Sequence, residues 1–207
     1  MDLLAILGLL LGAILIIGWV WRYAYFCPSW LVPLLENPYF EAVAGAALLV
    51  RRAGVRPGMR VLDAGCGPGR MTLAAAAAVE PSGAVVALDI QVKMLEKLER
   101  RLRERAVRNV TTLRAGLGDG KLAANEFDVA FLVTVLGEVP DKAAALREIH
   151  RSLRAGGVLS ITEVLPDPHY QPIRRVRALA RSVGLREQQL FSGLVSYTMN
   201  LVKDEAS

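Results

Sequence analysis

Val61-Leu62-Asp63-Ala64-Gly65-Cys66-Gly67-Pro68-Gly69-Arg70 decides the fold. Val61 and Leu62 read as the end of a buried strand, Asp63 as an acid at its C-terminal end. Glycines at 65, 67 and 69 form a turn, and Met71 to Val79 follows as a helix. A glycine turn between strand and helix lets backbone approach a ligand closely, because no Cβ intervenes. A second strand, Ala84 to Leu88, ends in Asp89. An acid about 20 residues past such a loop suits a ribose with free hydroxyls. Together these features point to a nucleoside-containing cofactor.

The spacing narrows the choice. A dinucleotide loop runs G-x-G-x-x-G, its third glycine closing helix onto strand. Here the order is G-x-G-x-G, and Pro68 removes a backbone N–H that a pyrophosphate would use. Asp63 repels a diphosphate but suits a cationic amino-acid group.

Working outward, strand and helix alternate. Gln91 to Ala106 reads as a helix with an apolar stripe of Met94, Leu95, Leu98 and Leu102. Its other face is rich in lysine and arginine, with Glu96–Arg100 and Glu99–Arg103 in the favourable i,i+4 order; a solvated face or contact with anionic headgroups both suit it. Strands are expected at Val110 to Leu113, Phe127 to Val133 and Val158 to Val164, the last entered through Ala155-Gly156-Gly157. Helices are expected over Asp141 to Leu153 and Gln171 to Val183. Leu185 to Phe191 and Leu194 to Val202 read as a hairpin turning at Ser192-Gly193. The pattern predicts an α/β fold: a Rossmann-like doubly wound sheet, mostly parallel, with an antiparallel C-terminal edge hairpin. Ahead of it, Asn37 or Pro38 opens a helix running through Ala42 to Ala53, ended by Gly54.

Leu3 to Trp21 is apolar and carries no charge over 19 residues. As a helix it would span about 28 Å at 1.5 Å per residue, close to the hydrocarbon thickness of a bilayer. Trp19, Trp21, Tyr23 and Tyr25 suit an interfacial belt. The start, Met1-Asp2, lacks the basic n-region of a signal peptide, and no small-residue cleavage site follows. The reading is a retained single-pass anchor, residues 3–21, followed by an interfacial linker, 22–40, and a domain, 41–207. Arg22, Arg51 and Arg52 place that domain on the cytoplasmic side. Gly8 and Gly12 form a G-x-x-x-G pair that suits homo-oligomer contact through the anchor, or is simply common membrane-helix composition.

The 207 residues are 53% hydrophobic with a net charge of +5. Two cysteines, Cys27 and Cys66, form no disulfide framework. Two histidines, His150 and His169, without a cysteine cluster argue against a metal site. No nucleic-acid partner is expected.

Three stretches carry a resemblance: Gly58 to Gly69, Phe127-Asp128-Val129, and Leu146 to Leu159 with its Arg-Ala-Gly-Gly turn at 154–157. They resemble class I S-adenosylmethionine (SAM) methyltransferases related to the ubiquinone/menaquinone C-methyltransferases, and the likeness spans about residues 40 to 202. It implies SAM as cofactor. By position, Gly65, Cys66, Gly67 and Gly69 would line the methionyl and ribose portion, Asp63 would lie near the amino group, and Asp89 would accept the ribose hydroxyls. Ile90 would pack on adenine, and Leu117 or its neighbours would meet the adenine edge. Relatives often show Gly-Asp-Ala there; this chain reads Ala115-Gly116-Leu117-Gly118-Asp119, which leaves Asp119 or backbone as the partner. Thr134 ends the fourth strand on the same edge. Many relatives carry histidine where this chain has Gly137, so Glu138 becomes the candidate polar group facing the acceptor, with a helix-start charge as the alternative. His169 and Tyr170 follow the fifth strand; one would orient an acceptor, or both are loop residues without a role. His150 reads as structural.

Methyl transfer from a sulfonium relies on alignment of nucleophile, methyl and leaving sulfur, so no fixed catalytic triad is expected. A tethered domain meets lipid-soluble acceptors at high effective concentration. The expectation is a methyltransferase acting on a lipid or lipophilic acceptor, a phospholipid amine or a prenylated quinone precursor. A soluble small acceptor and a non-catalytic SAM-binding scaffold are the alternatives.

Overall fold

The chain folds as a three-layer α/β/α sandwich, with helices covering both faces of one sheet. The computed structural model describes residues 37–80 and 82–203, with Gly8 and Gly12 as isolated positions. In chain order the elements are α1 (Pro38–Ala44), α2 (Ala46–Arg52), β1 (Arg60–Ala64), α3 (Arg70–Val79), β2 (Ala84–Asp89), α4 (Val92–Glu104) and β3 (Val110–Arg114). There follow β4 (Phe127–Val133), a 3-10 turn (Leu136–Glu138), α5 (Lys142–Ser152), β5 (Leu153–Val164), α6 (Ile173–Ser182), β6 (Leu185–Ser192) and β7 (Ser196–Lys203).

The seven strands lie in the order β3-β2-β1-β4-β5-β7-β6. Strands β3, β2, β1, β4 and β5 run parallel. β7 is antiparallel both to β5 and to β6. The expected antiparallel hairpin forms the C-terminal edge of the sheet: β7 lies between β5 and β6 and is antiparallel to both, and β6 is the outermost strand. The turn is longer than Ser192-Gly193, with β7 starting at Ser196 and Gly193 N–H donating to Ser196 O at 2.8 Å.

Period-two alternation assigns each strand's side chains to opposite cores. Val61, Val85, Val129 and Phe131 pack under α1, α2 and α3 with Leu49, Met71 and Val79. Ala87 on the same face meets Leu95, Leu98 and Leu102 of α4. Leu62, Leu88, Ala130 and Leu132 face the other way, onto Leu146 and Ile149 of α5 and Val176 and Ala180 of α6. The apolar stripe expected on α4 is the buried one. Its ion pairing differs from expectation: Arg100 pairs with Glu104 at 3.7 Å, and Glu99 accepts from Thr112 Oγ1 at 2.9 Å.

The single helix expected through Ala53 is two. Asn37 caps α1, its Oδ1 accepting from Tyr39 and Phe40 N–H at 2.8 and 3.1 Å. Gly45 then turns extended (φ −58, ψ 134) and breaks the run. A Cβ there would stand 2.5 Å from Glu41 O, and the freed Ala44 carbonyl accepts from the Arg70 guanidinium at 2.7 Å. The continuous described chain starts at Asn37, and α1 (Pro38–Ala44) begins within the stretch 22–40 expected to be linker. Among the described residues no helix is long and apolar enough to cross a membrane; the expected anchor, 3–21, and the Gly8/Gly12 pairing lie outside what those residues can address.

The strand order reverses between β1 and β4, where β1 leads outward through β2 and β4 through β5. In open α/β sheets the cleft outside the carboxyl ends at this reversal is the ligand site.

Candidate active site

Asp63, at that carboxyl end of β1, is only 2% exposed. Its Oδ2 accepts from Thr72 Oγ1 of α3 at 2.6 Å. Burial pushes the carboxyl up to about 6, opposed by the Thr72 hydrogen bond and by Arg70. Asp89, at the end of β2, accepts from Gly67 N–H at 2.9 Å and from Gln91 N–H at 2.8 Å. Burial raises its pKa, and these backbone donors pull it back. Each oxygen keeps acceptor capacity beyond its one backbone bond.

The glycine loop answers the phosphate question. Gly65 and Cys66 N–H both donate to Leu88 O, at 2.7 and 2.9 Å, and Gly69 N–H donates to Cys66 O at 3.0 Å. Gly67 N–H is held by Asp89, and Pro68 has none. Every donor of the loop is satisfied inside the protein, whereas a pyrophosphate loop needs them aimed at the ligand. The loop serves close approach instead, and its three glycines do so differently. All have positive φ. A Cβ on Gly65 would stand 2.5 Å from Val135 Cγ2, and one on Gly69 would collide with Leu98 Cδ1 of α4. At Gly67 a Cβ would meet nothing within 4 Å, so this is the glycine that leaves open space for a ligand. Cys66 is buried, and desolvation with the nearby acids Asp63 and Asp89 pushes its thiol up, making it a packing residue rather than a nucleophile.

Beyond the loop lies a cavity of about 490 Å³ lined by Leu88, Ile90, Ala115 to Asp119, Val135, Glu138 to Asp141 and Ala144. Ile90 is 56% exposed although apolar, so it offers an uncovered wall for a flat ring. Leu117 lines the same cavity. Asp119 Oδ2 accepts from Gly116 N–H at 2.8 Å, which fixes the turn where an adenine edge was expected. The lining carries Asp119, Glu138 and Asp141 and neither lysine nor arginine. That balance, with Asp89 between the lining residues Leu88 and Ile90, suits a cationic nucleoside and disfavours a phosphorylated one. SAM, a sulfonium with an ammonium group and a ribose diol, fits these residues. Asp63 would face the amino group, Asp89 the diol, Ile90 and Leu117 the base.

Thr134 is a β-branched residue at φ +55, a conformation uncommon outside glycine and typical of strained sites. It is held by its N–H to Thr162 O at 2.8 Å. This turn swings Val135 over Gly65 and leads into Leu136–Glu138. Glu138 lines the same cavity as Ile90 and Leu117. His169 and Tyr170 lie in the segment after β5, and a Cβ on Gly137 would collide with the His169 carbonyl oxygen. Position 137 is thus closed to a side chain because the His169 backbone occupies its space. His150 packs against Gly184, away from the cavity lining.

Sequence reading passed over Glu163, Gln171 and Tyr197. Tyr197 donates to Gln171 O at 2.6 Å, and Gln171 donates through its N–H to Glu163 Oε2 at 3.1 Å. Burial pushes Glu163 up to about 8. Its one sign in the sequence was an acid near the end of a strand, Ile161-Thr162-Glu163-Val164. Among the described residues no group of histidine, cysteine or carboxylate is placed to hold a metal.

Comparison with known proteins gives the family and the fold. Residues 56–193 match the family model described as a methyltransferase domain. The chain is 37% identical over 125 residues to the ubiquinone/menaquinone biosynthesis C-methyltransferase UbiE of Shewanella oneidensis, covering 60% of this chain and 49% of that protein. It therefore spans about half the length of the curated relatives it matches. A SAM-dependent methyltransferase from Aquifex aeolicus superposes with TM-score 0.80 at 20% identity, over 86% of this chain and 100% of the other. The [4+2]-cyclase SpnF superposes at 0.69 and 18% identity, over 77% and 79%. At these identities the superpositions establish the fold alone, since one fold hosts several chemistries.

Proposed function

Because the chain belongs to the methyltransferase-domain family and takes SAM as its cofactor, we propose that it transfers a methyl group to a lipophilic acceptor at a membrane surface. Bound SAM supplies an activated methyl for in-line displacement, so the protein's task is alignment. The carrying observation is the acid-rich cleft at the β1/β4 reversal, with a loop whose amides are all internally satisfied and an uncovered Ile90 wall.

Two features support a lipophilic acceptor. The apolar sequence Leu3–Trp21 precedes the domain and is long enough to cross a bilayer as a helix. The domain also exposes large apolar side chains where its described chain starts: Tyr39 and Leu165 at 40% and Leu194 fully. Hydrogen bonds tie these three segments together, from Tyr39 OH to Leu165 O at 2.5 Å and from Leu165 N–H to Val195 O at 2.7 Å. Such a cluster suits an interfacial contact. It lies at the start of the 165–171 segment that carries His169 and Tyr170, so an acceptor in the bilayer would meet the cleft from this side. The 37% identity to a quinone-pathway C-methyltransferase favours a prenylated quinone precursor over a phospholipid amine.

The test is methyl-labelled SAM with the full-length chain and a total lipid extract. Label in an organic-soluble, quinone-like product is expected. Label only in water-soluble products would reject the lipid reading, and tight SAM binding with no labelled product would favour a scaffold.

A further inference from the structure

Glu163 is the penultimate residue of β5 and only 1% exposed. One oxygen accepts the Gln171 N–H. The other, Oε1, is buried without a hydrogen-bond partner, and so is Gln171 Oε1. Charged and titratable groups face it from every neighbouring element: Asp167 and Tyr170 from the following segment, Glu138 from the 3-10 turn, Lys142 from α5 and Tyr197 from β7. His169 adjoins Asp167, and Arg175 of α6 adjoins Lys142. The Lys142 ammonium donates to Val139 O at 2.7 Å, and Glu163 forms no ion pair among the described residues.

We propose that Glu163 is a positioning residue for methyl transfer: through Gln171 it seats the segment 167–171 on Gly137, and so sets where Glu138, His169 and Tyr170 stand around the acceptor. The contacts form one chain. Glu163 holds the Gln171 backbone, Gln171 Nε2 holds the His169 carbonyl at 2.7 Å, and that carbonyl abuts Gly137, next to Glu138 in the cavity wall. Asp167 Oδ1 braces the segment by accepting from His169 N–H at 2.7 Å, and Tyr197 closes it at Gln171 O. Glu163 Oε1 is a buried acceptor without a donor, and protonation turns the carboxyl into a donor instead. Burial and the neighbouring acids favour that neutral form at pH 7. Ionisation would bury a negative charge beside Asp167 and Glu138; Oε2 would still accept from Gln171 N–H, and repulsion from the two acids would loosen the seat.

The catalytic part of the test rests on the acceptor reading above; the thermal part does not. Wild type, Glu163→Gln and Glu163→Ala are compared as full-length chains in detergent micelles. A folded pKa raised above the unfolded value stabilises fully below the unfolded value, and the benefit is lost as pH rises through the folded one. The wild-type melting midpoint should therefore fall by several degrees relative to Glu163→Gln between about pH 5 and pH 8. A constant difference would overturn the proposal, and this arm needs only the glutamine variant to fold. In turnover, Glu163→Gln should keep a wild-type acceptor KM at pH 7 and hold it above about pH 8, where the wild-type KM climbs about tenfold. Glu163→Ala should raise KM about tenfold at every pH with SAM affinity unchanged. Equal losses in the glutamine and alanine variants, or SAM affinity falling in step with KM, would refute a positioning role. The expected melting behaviour without any lipid methylation would support the seat and reject the acceptor reading instead.

Discussion

The two halves of the cleft are built by opposite means. On the cofactor half, β1, the glycine loop and β2 place Asp63, Gly67 and Asp89 within a short stretch of chain, and backbone hydrogen bonds hold nearly every donor. On the acceptor half, the 3-10 turn after β4, the segment after β5 and Tyr197 from β7 meet across large sequence separations. Two buried side-chain oxygens are left without partners there. The proposed cofactor side is thus a local feature whose loop amides are satisfied internally, whereas the proposed acceptor side is assembled by tertiary packing and leaves buried polar groups unpaired. A fold that keeps the first and varies the second can serve many acceptors.

Breaking the cofactor half should give the largest effect. Asp89→Ala removes the acceptor of two backbone N–H groups and the proposed ribose partner, so SAM affinity by calorimetry should fall about 100-fold or more. Undiminished affinity would show that the cofactor lies elsewhere. Gly137→Ala attacks the other half, forcing the His169 carbonyl away. Acceptor KM should rise about tenfold with SAM affinity within about twofold; parallel losses in both would show that the halves are not separable.

A subtler probe is pH. Asp63 is pushed up to about 6 when folded, so its contribution to stability is lost as pH rises through about 6. A cationic ligand favours the ionised carboxyl. SAM affinity should therefore weaken by several-fold as pH falls below about 6, and Thr72→Val, which removes a hydrogen bond to the carboxylate, should move that fall to higher pH. A pH-independent affinity from about 5 to 7 would place the ammonium elsewhere. The smallest effect belongs to Leu194→Ser. Stability should change by less than about 0.5 kcal/mol, while methylation of vesicle-borne acceptor drops about twofold and that of a short-chain soluble analogue does not. Equal changes with both acceptors would remove the case for a membrane contact at this turn.

Much of the cofactor half was legible from residue order. The Asp63-to-Gly69 stretch, the strand ending in Asp89 and the α4 stripe all follow from local period and turn chemistry, which act over a few residues. Ile90 and Leu117 line one cavity, and Asp141, at the expected helix start, caps α5, its Oδ1 accepting from Ala144 N–H at 2.8 Å. Other features were not legible. The break at Gly45 depends on Arg70 arriving to take the Ala44 carbonyl. The insertion of β7 beside β5 depends on pairing between distant strands. Glu163 gave little sign, because a single acid at a strand end looks the same whether solvent or protein surrounds it.

Sequence by itself determined the alternation of strand and helix and the chemistry of the first loop, because glycine placement, an imino acid and two acids restrict backbone and charge wherever they occur. Only the tertiary structure decided which face of the sheet each helix covers, why position 137 admits no side chain, and that Glu163 lies buried near other acids without forming an ion pair among the described residues. Those depend on what meets across long loops, where burial and neighbouring charge, rather than residue identity, set the energy of a polar group.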